Sequence, residues 1–289
     1  MKSIYKPKYW SIHHTAIISI LIFLCFTLAQ FFILTCLSYL HSDVGYEDVA
    51  FSNLGLISIF SSTIGFISLS IFIRLKKINL KKYLNIYLPE KKTSLLFVFL
   101  SFILMILMDW ASAKYPLLFE TDFVIDSYEN AKSLPLFYLG VVFFAPFFEE
   151  SLFRGFLFKG VEKSYLGGHA AVFISSILFA LVHLQYGIPV LLFMLFPFSL
   201  LLGYARWKSG SLLLPVLIHV INNLMRLKKN NGQIIGYGAP AKATTVLNYF
   251  GINSDHFEYI VDDNHLKHNL YVPETGIKII ESDTINPDD

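Results

Sequence analysis

Long apolar runs separated by short polar segments occupy the first 229 residues. Seven runs reach or approach the ~20 residues that a helix needs to cross a hydrocarbon core of roughly 30 Å. They lie near 15–39, 51–73, 94–110, 134–159, 169–185, 188–205 and 211–226, and the last three are short. The pattern predicts an all-α polytopic membrane protein with about seven helical spans.

The pattern changes after residue 229, where the sequence reads as a short soluble α/β tail. It predicts a strand, a glycine-rich turn, a helix, a second strand that ends in two aspartates, and a last short strand. The three strands lie at Ile234–Gly236, Phe257–Val261 and Ile277–Ile280, and the helix lies at about 241–250. This order is the opening of a βαβ unit, and about 60 residues are marginal for a separate core.

The composition agrees with an integral membrane protein. Apolar residues make up 55% of the chain, charged residues 15%, and the mean hydropathy is +0.56, against about 45–50% and 25% in soluble domains. A net charge of +2 gives no reason to expect a nucleic-acid partner. Cys25 and Cys36 both lie in the first apolar run, where they read as small apolar fillers rather than a metal or redox site.

Loop charges predict the orientation. Residues 74–92 are rich in Lys and Arg, whereas 41–48 and 120–130 are acidic. The positive-inside rule therefore places the N-terminus and 74–92 in the cytoplasm. The basic N-terminus has no signal cleavage site, so the first span reads as a retained anchor. A seventh crossing would put the basic 226–229 outside, so either 211–226 does not cross or an eighth span is missing.

Ionisable and amide side chains interrupt three of the apolar runs. Charges at membrane depth are expensive, so such residues are functional candidates by default. They form three groups: Glu149, Glu150 and Arg154; His183; and His219 with Asn222 and Asn223.

Helical geometry separates the roles of the two glutamates. Glu150 and Arg154 point within about 40° of each other and can form an i,i+4 ion pair, whereas Glu149 points about 100° away from Glu150. Arg154 then neutralises Glu150 and leaves Glu149 available as a general base.

The histidines and asparagines suggest the complementary roles. His219 and Asn223 also lie within about 40° and can jointly stabilise an oxyanion, whereas Asn222 fits less well. His183 could hold a water molecule or a metal.

These residues resemble the three motifs of the CPBP family, the CaaX-protease and bacteriocin-processing (Abi) intramembrane proteases. The motifs are Glu149-Glu150-x-x-x-Arg154, Phe179-x-x-x-His183 and His219-x-x-x-Asn223, and the run "GSLLLPVLIH" (210–219) is similar too. The resemblance covers roughly 134–226.

The resemblance implies a membrane endopeptidase that acts on a peptide or protein substrate, among lipids, in a bacterial cell membrane. Glu149 and His183 would activate water, and His219 with Asn223 would polarise the scissile carbonyl. Glu150 and Arg154 would support the site. Glu149, His183 and His219 could bind zinc, or the site could work without metal, and no other cofactor is expected.

Residues 232–289 resemble a different family, namely part of the C-terminal domain of sugar C-methyltransferases. That domain is Rossmann-like, and the similarity rests on "GYGAPAKATTVLNYFGI" (236–252), "YIVDDN" (259–264) and "LKHNLYVPETGIKI" (266–279). Methyltransferase activity is not expected, because membrane spans stand where the methyl-donor domain would lie. The predicted domains are thus 1–133, N-terminal membrane helices; 134–229, a CPBP-like catalytic membrane core; and 230–289, a partial Rossmann-like tail.

Three function classes remain open from the sequence. The first is an intramembrane endopeptidase that uses water activated by glutamate and histidine. The second is a non-catalytic membrane protein of the same scaffold, with an immunity or binding role. The third, a small-molecule transporter with a proton relay, has less support because the chain shows no internal repeat.

Overall fold

A computed structural model describes residues 9–119, 127–229, 236–249, 252–254, 257 and 259–281. The chain divides into two compact units, Met1–Leu224 and Met225–Asp289. The first unit is helical. Its helices, with the one that continues into the second unit, are α1 (Ile12–Leu40), α2 (Tyr46–Ser52), α3 (Leu54–Leu75), α4 (Leu80–Leu84), α5 (Lys91–Lys114), α6 (Pro116–Phe119), α7 (Leu134–Glu162), α8 (Gly167–Leu181), α9 (Ile188–Ser209) and α10 (Leu213–Lys229).

The membrane fold class predicted from the sequence is confirmed. Helices α1, α3, α5, α7 and α9 are long and apolar enough to cross a membrane. Helices α8 and α10 are shorter apolar helices, so the described part of the chain shows seven apolar helices at the predicted places. Large apolar side chains on the outer faces of α1, α3 and α5 are exposed, among them Ile20, Phe31, Ile71 and Leu95, as lipid contact requires.

Helix α7 is not a regular α-helix. Leu139–Phe144 and Ser151–Leu157 are π-helical, and α-helical turns lie before, between and after them. Pro146 lies two residues after the end of the first π segment and cannot donate a backbone N–H, which favours a local change in hydrogen-bond spacing. Single π turns within α-helices are frequently found at functional sites.

Small residues let α7 lie close against α3. A Cβ on Gly140 would meet the carbonyl oxygen of Gly55 at 2.3 Å, and a Cβ on Gly65 would meet the ring of Phe148 at 2.4 Å. Such close approach is typical of helix packing in membranes. The contact fixes the half of α7 that precedes the two glutamates.

The segment between α4 and α5 holds the tight turn between α9 and α10. Gly210 ends α9 with φ +66°, and its carbonyl accepts hydrogen bonds from Asn85 Nδ2 at 3.0 Å and Tyr87 Oη at 2.8 Å. The backbone N–H of Leu212 donates to Asn85 O at 3.1 Å. These contacts set the position from which α10 starts.

The second unit contains a small parallel sheet. Its strands are β1 (Gly236–Tyr237), β2 (Tyr259–Val261) and β3 (Lys278–Ile280), in the order β1-β2-β3, with α11 (Ala241–Tyr249) between β1 and β2. This is the predicted βαβ order and confirms the short α/β tail. The strand predicted at Ile234–Gly236 lies mostly outside the described residues. A small apolar core contains Leu247, Ile260, Val272, Ile277 and Ile279.

Candidate active site

Glu150 and Arg154 form the buried ion pair that the i,i+4 spacing predicts. Arg154 Nη1 donates to Glu150 Oε1 at 2.9 Å, and both side chains are fully buried. The second guanidinium nitrogen donates to both the carbonyl and the hydroxyl of Ser199 on α9. Because breaking one side of a buried pair leaves an uncompensated charge, this contact is stiff and links α7 to α9.

His219 on α10 is held by the same glutamate. Its Nδ1 lies 3.0 Å from Glu150 Oε1, and the residue is 6% exposed. An ionised carboxylate can only accept, so Nδ1 carries the proton and Nε2 points away from Glu150. Glu150 therefore orients His219 as well as pairing with Arg154, a contact that the sequence did not predict.

His183 lies beyond the end of its helix rather than within it. The sequence predicted an apolar run to residue 185, but α8 ends at Leu181. The physical reason is a local cap: the ring Nδ1 of His183 lies 2.7 Å from the carbonyl oxygen of Phe179, and its backbone N–H bonds Ala180 O at 3.0 Å. Since a carbonyl only accepts, Nδ1 carries the proton and Nε2 is left as an acceptor.

Glu149 is the carboxylate that faces both histidines. Its Oε2 lies 3.9 Å from His183 Nε2 and 4.0 Å from His219 Nε2. These separations are too long for direct hydrogen bonds but allow one water molecule to bond Glu149 and either ring. Three helical segments that are distant in sequence thus converge on one carboxylate oxygen.

The asparagines occupy places that the sequence did not foresee. Asn223 Nδ2 donates to the backbone carbonyl of Val141 on α7 at 3.0 Å. Asn222 is 6% exposed, its Nδ2 lies 3.4 Å from Asn223 Oδ1, and its own Oδ1 has no partner among the described residues. Asn223 retains a second amide hydrogen, so its expected oxyanion role stays a prediction.

Phe179 packs against three of the site's polar groups. The guanidinium carbon of Arg154 lies 4.5 Å from the centre of the Phe179 ring. The same ring lies 4.7 Å from the His183 ring and 5.7 Å from the His219 ring. Phe179 therefore packs against the side chains of the site and helps to hold them in place.

Two further polar residues, which belong to none of the three sequence motifs, support the site. The first is Ser199, whose carbonyl and hydroxyl oxygens accept hydrogen bonds from Arg154. Arg206 lies beyond the predicted span 188–205, where a cation resembles a loop charge, but it is 2% exposed in α9, and its Nε donates to Arg154 O at 2.8 Å. Arg206 directly follows the predicted span 188–205 and lies in the last turn of α9, so nothing in the sequence signalled its burial.

The residues proposed for zinc have suitable donor atoms but wide spacing. Two imidazoles and a carboxylate are a known zinc set, and ligands at about 2.0–2.1 Å in a tetrahedron lie roughly 3.4 Å apart. The 3.9 and 4.0 Å separations at Glu149 exceed this. Across the residues that the structure describes, no group of three His, Cys, Asp or Glu side chains could hold a metal ion. The zinc alternative stays a prediction.

The fold and the site together define an integral membrane protein of several helices with a glutamate–histidine site inside the helical unit. Residues 131–225 match the family model of type II CAAX prenyl endopeptidase Rce1-like proteins. Residues 216–289 match the C-methyltransferase C-terminal domain. Both resemblances drawn from the sequence motifs are confirmed. The two matches overlap at 216–225, within α10.

A curated relative covers part of the chain. An Escherichia coli protein described as an uncharacterized 24.3 kDa protein is 39% identical over 93 residues, which is 31% of this chain and 43% of that protein. The chain therefore spans less than half the length of that relative. No solved structure matches the chain.

Proposed function

We propose that this protein is an intramembrane endopeptidase that hydrolyses a peptide bond with water activated by Glu149 and His183. The observation that carries the proposal is the position of Glu149 Oε2, 3.9 Å from His183 Nε2 and 4.0 Å from His219 Nε2. This carboxylate lies outside the Glu150–Arg154 ion pair, as a general base requires. The match of residues 131–225 to an endopeptidase family supports the same reaction class.

The attacking water fits between Glu149 and His183. With the proton of His183 on Nδ1, where Phe179 O accepts it, Nε2 accepts one hydrogen of the water. Glu149 accepts the other hydrogen and takes this proton as the water oxygen attacks the carbonyl carbon. Glu149 then returns the proton to the leaving amine nitrogen, so the C–N bond breaks and the products are a free amine and a new carboxyl group that keeps the second hydrogen of the water.

Side chains on α10 would donate hydrogen bonds to the developing oxyanion. His219 can donate from Nε2 when it carries a proton on both nitrogens, and Glu150 at Nδ1 is then its counter-ion. The second amide hydrogen of Asn223 is the other candidate donor. Glu150 and Arg154 thus act on the reaction through His219.

The loop charges support an orientation of the protein in the membrane. We place the N-terminus and residues 74–92 in the cytoplasm of a bacterial cell, because Lys and Arg concentrate there. The exposed apolar side chains of α1, α3 and α5 supply the lipid contact.

The decisive experiment compares purified wild type with Glu149→Gln on a fluorogenic peptide library, with and without a prenylated C-terminal cysteine. Glu47→Gln is the matched control, because Glu47 is exposed and lies at the start of α2. We expect cleavage by wild type and the control and none by Glu149→Gln, with all three equally well folded. Normal cleavage by Glu149→Gln overturns the mechanism. Absence of cleavage by wild type favours the non-catalytic alternative.

A further inference from the structure

Each π segment of α7 leaves one backbone carbonyl without its helical donor. The N–H of Ala145 bonds Gly140 O, and the N–H of Phe158 bonds Phe153 O, both five residues back. When the spacing returns from five residues to four, the next carbonyl is skipped. The skipped carbonyls are those of Val141 and Arg154, and at the first of them Pro146 has no N–H to offer.

Side chains from α10 and α9 donate hydrogen bonds to these two carbonyls. Asn223 Nδ2 on α10 donates to Val141 O at 3.0 Å, and Arg206 Nε on α9 donates to Arg154 O at 2.8 Å. Arg206 also donates from Nη1 to Gly210 O, the carbonyl that Asn85 and Tyr87 bind. Its guanidinium carbon lies 5.5 Å from the centre of the Phe158 ring.

Arg206 contacts the backbone of Arg154, the residue whose side chain begins the series of polar contacts in the site. The backbone of Arg154 is fixed by Arg206, the side chain of Arg154 bonds Glu150 at 2.9 Å, and Glu150 meets His219 at 3.0 Å. A buried cation is expensive, yet the described hydrogen bonds of Arg206 go to backbone carbonyls. Its position on the skipped carbonyl gives that cation a specific purpose.

We infer that Arg206 is a positioning residue of the active site: it fixes the backbone at Arg154 and thereby the Arg154–Glu150–His219 contacts. The inference rests on the proposed function. It also ties the α9–α10 turn to the chemistry, because the same guanidinium bonds Arg154 O and Gly210 O.

The first test is kinetic and compares Arg206→Met with Arg206→Gln. The uncharged side chain of glutamine keeps an N–H that can reach Arg154 O. Methionine keeps only an apolar chain of similar length and has no N–H donor. We expect kcat, normalised to monodisperse folded protein, to fall about 10–100-fold in Arg206→Met, with KM changed less than about threefold. Arg206→Gln should recover much of that loss. Lys208→Met is the matched control, because Lys208 is an exposed cation two residues further along α9.

The second test needs no peptidase activity. Dicyclohexylcarbodiimide reacts with protonated carboxyls in apolar sites, and mass spectrometry locates the product. Glu150 should resist labelling in wild type and Lys208→Met, because its side chain is fully buried and its Oε1 lies 2.9 Å from Arg154 Nη1 and 3.0 Å from His219 Nδ1. In Arg206→Met, Glu150 should become labelled, and the labelled fraction of Glu150 should be smaller in Arg206→Gln.

The two readouts separate this inference from the proposed function. If wild type cleaves nothing, the proposed function fails, while labelling of Glu150 still decides the role of Arg206. Unchanged kcat together with unchanged Glu150 labelling in Arg206→Met overturns the inference. If neither variant yields folded protein, Arg206 serves the fold as a whole and the inference is likewise overturned.

Discussion

Glu150 Oε1 lies 3.0 Å from His219 Nδ1 while the same oxygen accepts the guanidinium of Arg154 at 2.9 Å. One buried carboxylate oxygen therefore joins α7 to α10 and sets the direction of the His219 ring. The neighbouring Glu149 stays outside this pair and faces Nε2 of both histidines. Two adjacent acids thus take different positions: Glu150 orients His219, and Glu149 is the carboxylate that we propose for proton transfer.

We expect Glu150→Gln and His219→Ala to be strongly non-additive. If Glu150 acts through His219, the double variant should be no slower than the slower single variant, a coupling of about 0.5–3 kcal/mol in kcat/KM. The measurement is a double-mutant cycle on a cleaved peptide. The control cycle pairs His219→Ala with Glu47→Gln and should be additive. Full additivity of the Glu150–His219 pair would contradict the orienting role.

Gly140→Ala should loosen the contact between α7 and α3. The added methyl group would lie 2.3 Å from Gly55 O, a backbone atom that cannot move without shifting the helix. Overpacking of this kind costs about 1–3 kcal/mol, so we expect a lower melting temperature in detergent. Gly45→Ala is the control, because its methyl group would meet only the flexible Asp48 side chain at 3.0 Å. Equal melting of Gly140→Ala and wild type would show that the close approach is not required.

The helices of this protein could be predicted from the sequence, but the interruptions within them could not. Apolar runs identify α1, α3, α5 and α7, because a span must bury its whole backbone in its own hydrogen bonds. The end of α8 at Leu181 depends on His183 bonding Phe179 O, a side-chain contact that periodicity does not encode. The π segments were signalled only by Pro146.

The chemistry of the site was predictable where polar residues interrupt apolar runs, since such residues need a reason to be there. Glu149, His183 and His219 do converge. The bond from Glu150 to His219 was not predictable, because it depends on how α10 is placed against α7. Arg206 was missed because a cation near a span end resembles a loop charge.

The orientation can be tested by cysteine accessibility in intact cells. In a background without Cys25 and Cys36, a cysteine at Lys81 on α4 should resist a membrane-impermeant maleimide until the cells are opened. A cysteine at Asp43, in the exposed segment after α1, should react at once. The charge asymmetry between 74–92 and 41–48 is the physical reason. Immediate labelling at Lys81 would reverse the topology.

Acid should destabilise the tail around Asp262. Asp262 accepts from the backbone N–H groups of Ala239 at 2.7 Å and Asn264 at 2.9 Å, and from Lys267 Nζ at 2.8 Å. The Lys267 hydrogen bond and then the backbone donors lower the pKa of Asp262 from 3.8 to about 2. Because the folded pKa is the lower one, the stabilisation is fully present above about pH 4 and is lost as the pH falls towards 2.

Hydrogen exchange of the full-length protein in detergent checks this acid response. After correction for the intrinsic pH dependence, the amides of Ala239 and Asn264 should lose protection between pH 5 and pH 2.5. In Asp262→Asn that loss should be absent, because no carboxylate is left to protonate. Asp263→Asn should behave as wild type, since Asp263 bonds the Tyr237 hydroxyl rather than these amides. Retained protection at pH 2.5 in wild type would refute the role given to Asp262.

Deletion of residues 232–289 should leave membrane insertion and peptide cleavage largely unchanged. The proposed reaction needs Glu149, His183, His219 and Asn223, all of which lie before residue 225 in the helical unit. The strands β1 to β3 pack around their own apolar core, and Asp262 is occupied by Ala239, Asn264 and Lys267. The deletion ends the chain after α10, so it keeps the whole 131–225 match.

Full-length and shortened chains should be compared in one cleavage assay at equal amounts of monodisperse protein, with Glu149→Gln in both backgrounds. We expect kcat/KM to agree within about threefold, and Glu149→Gln to abolish cleavage in each. Glu149→Gln in the shortened chain guards against a contaminating protease, since residual cleavage there cannot come from the proposed site. A large loss of cleavage on deletion, with insertion intact, would mean that the tail takes part in the membrane chemistry, and the division into a catalytic helical unit and a separate tail would then be wrong.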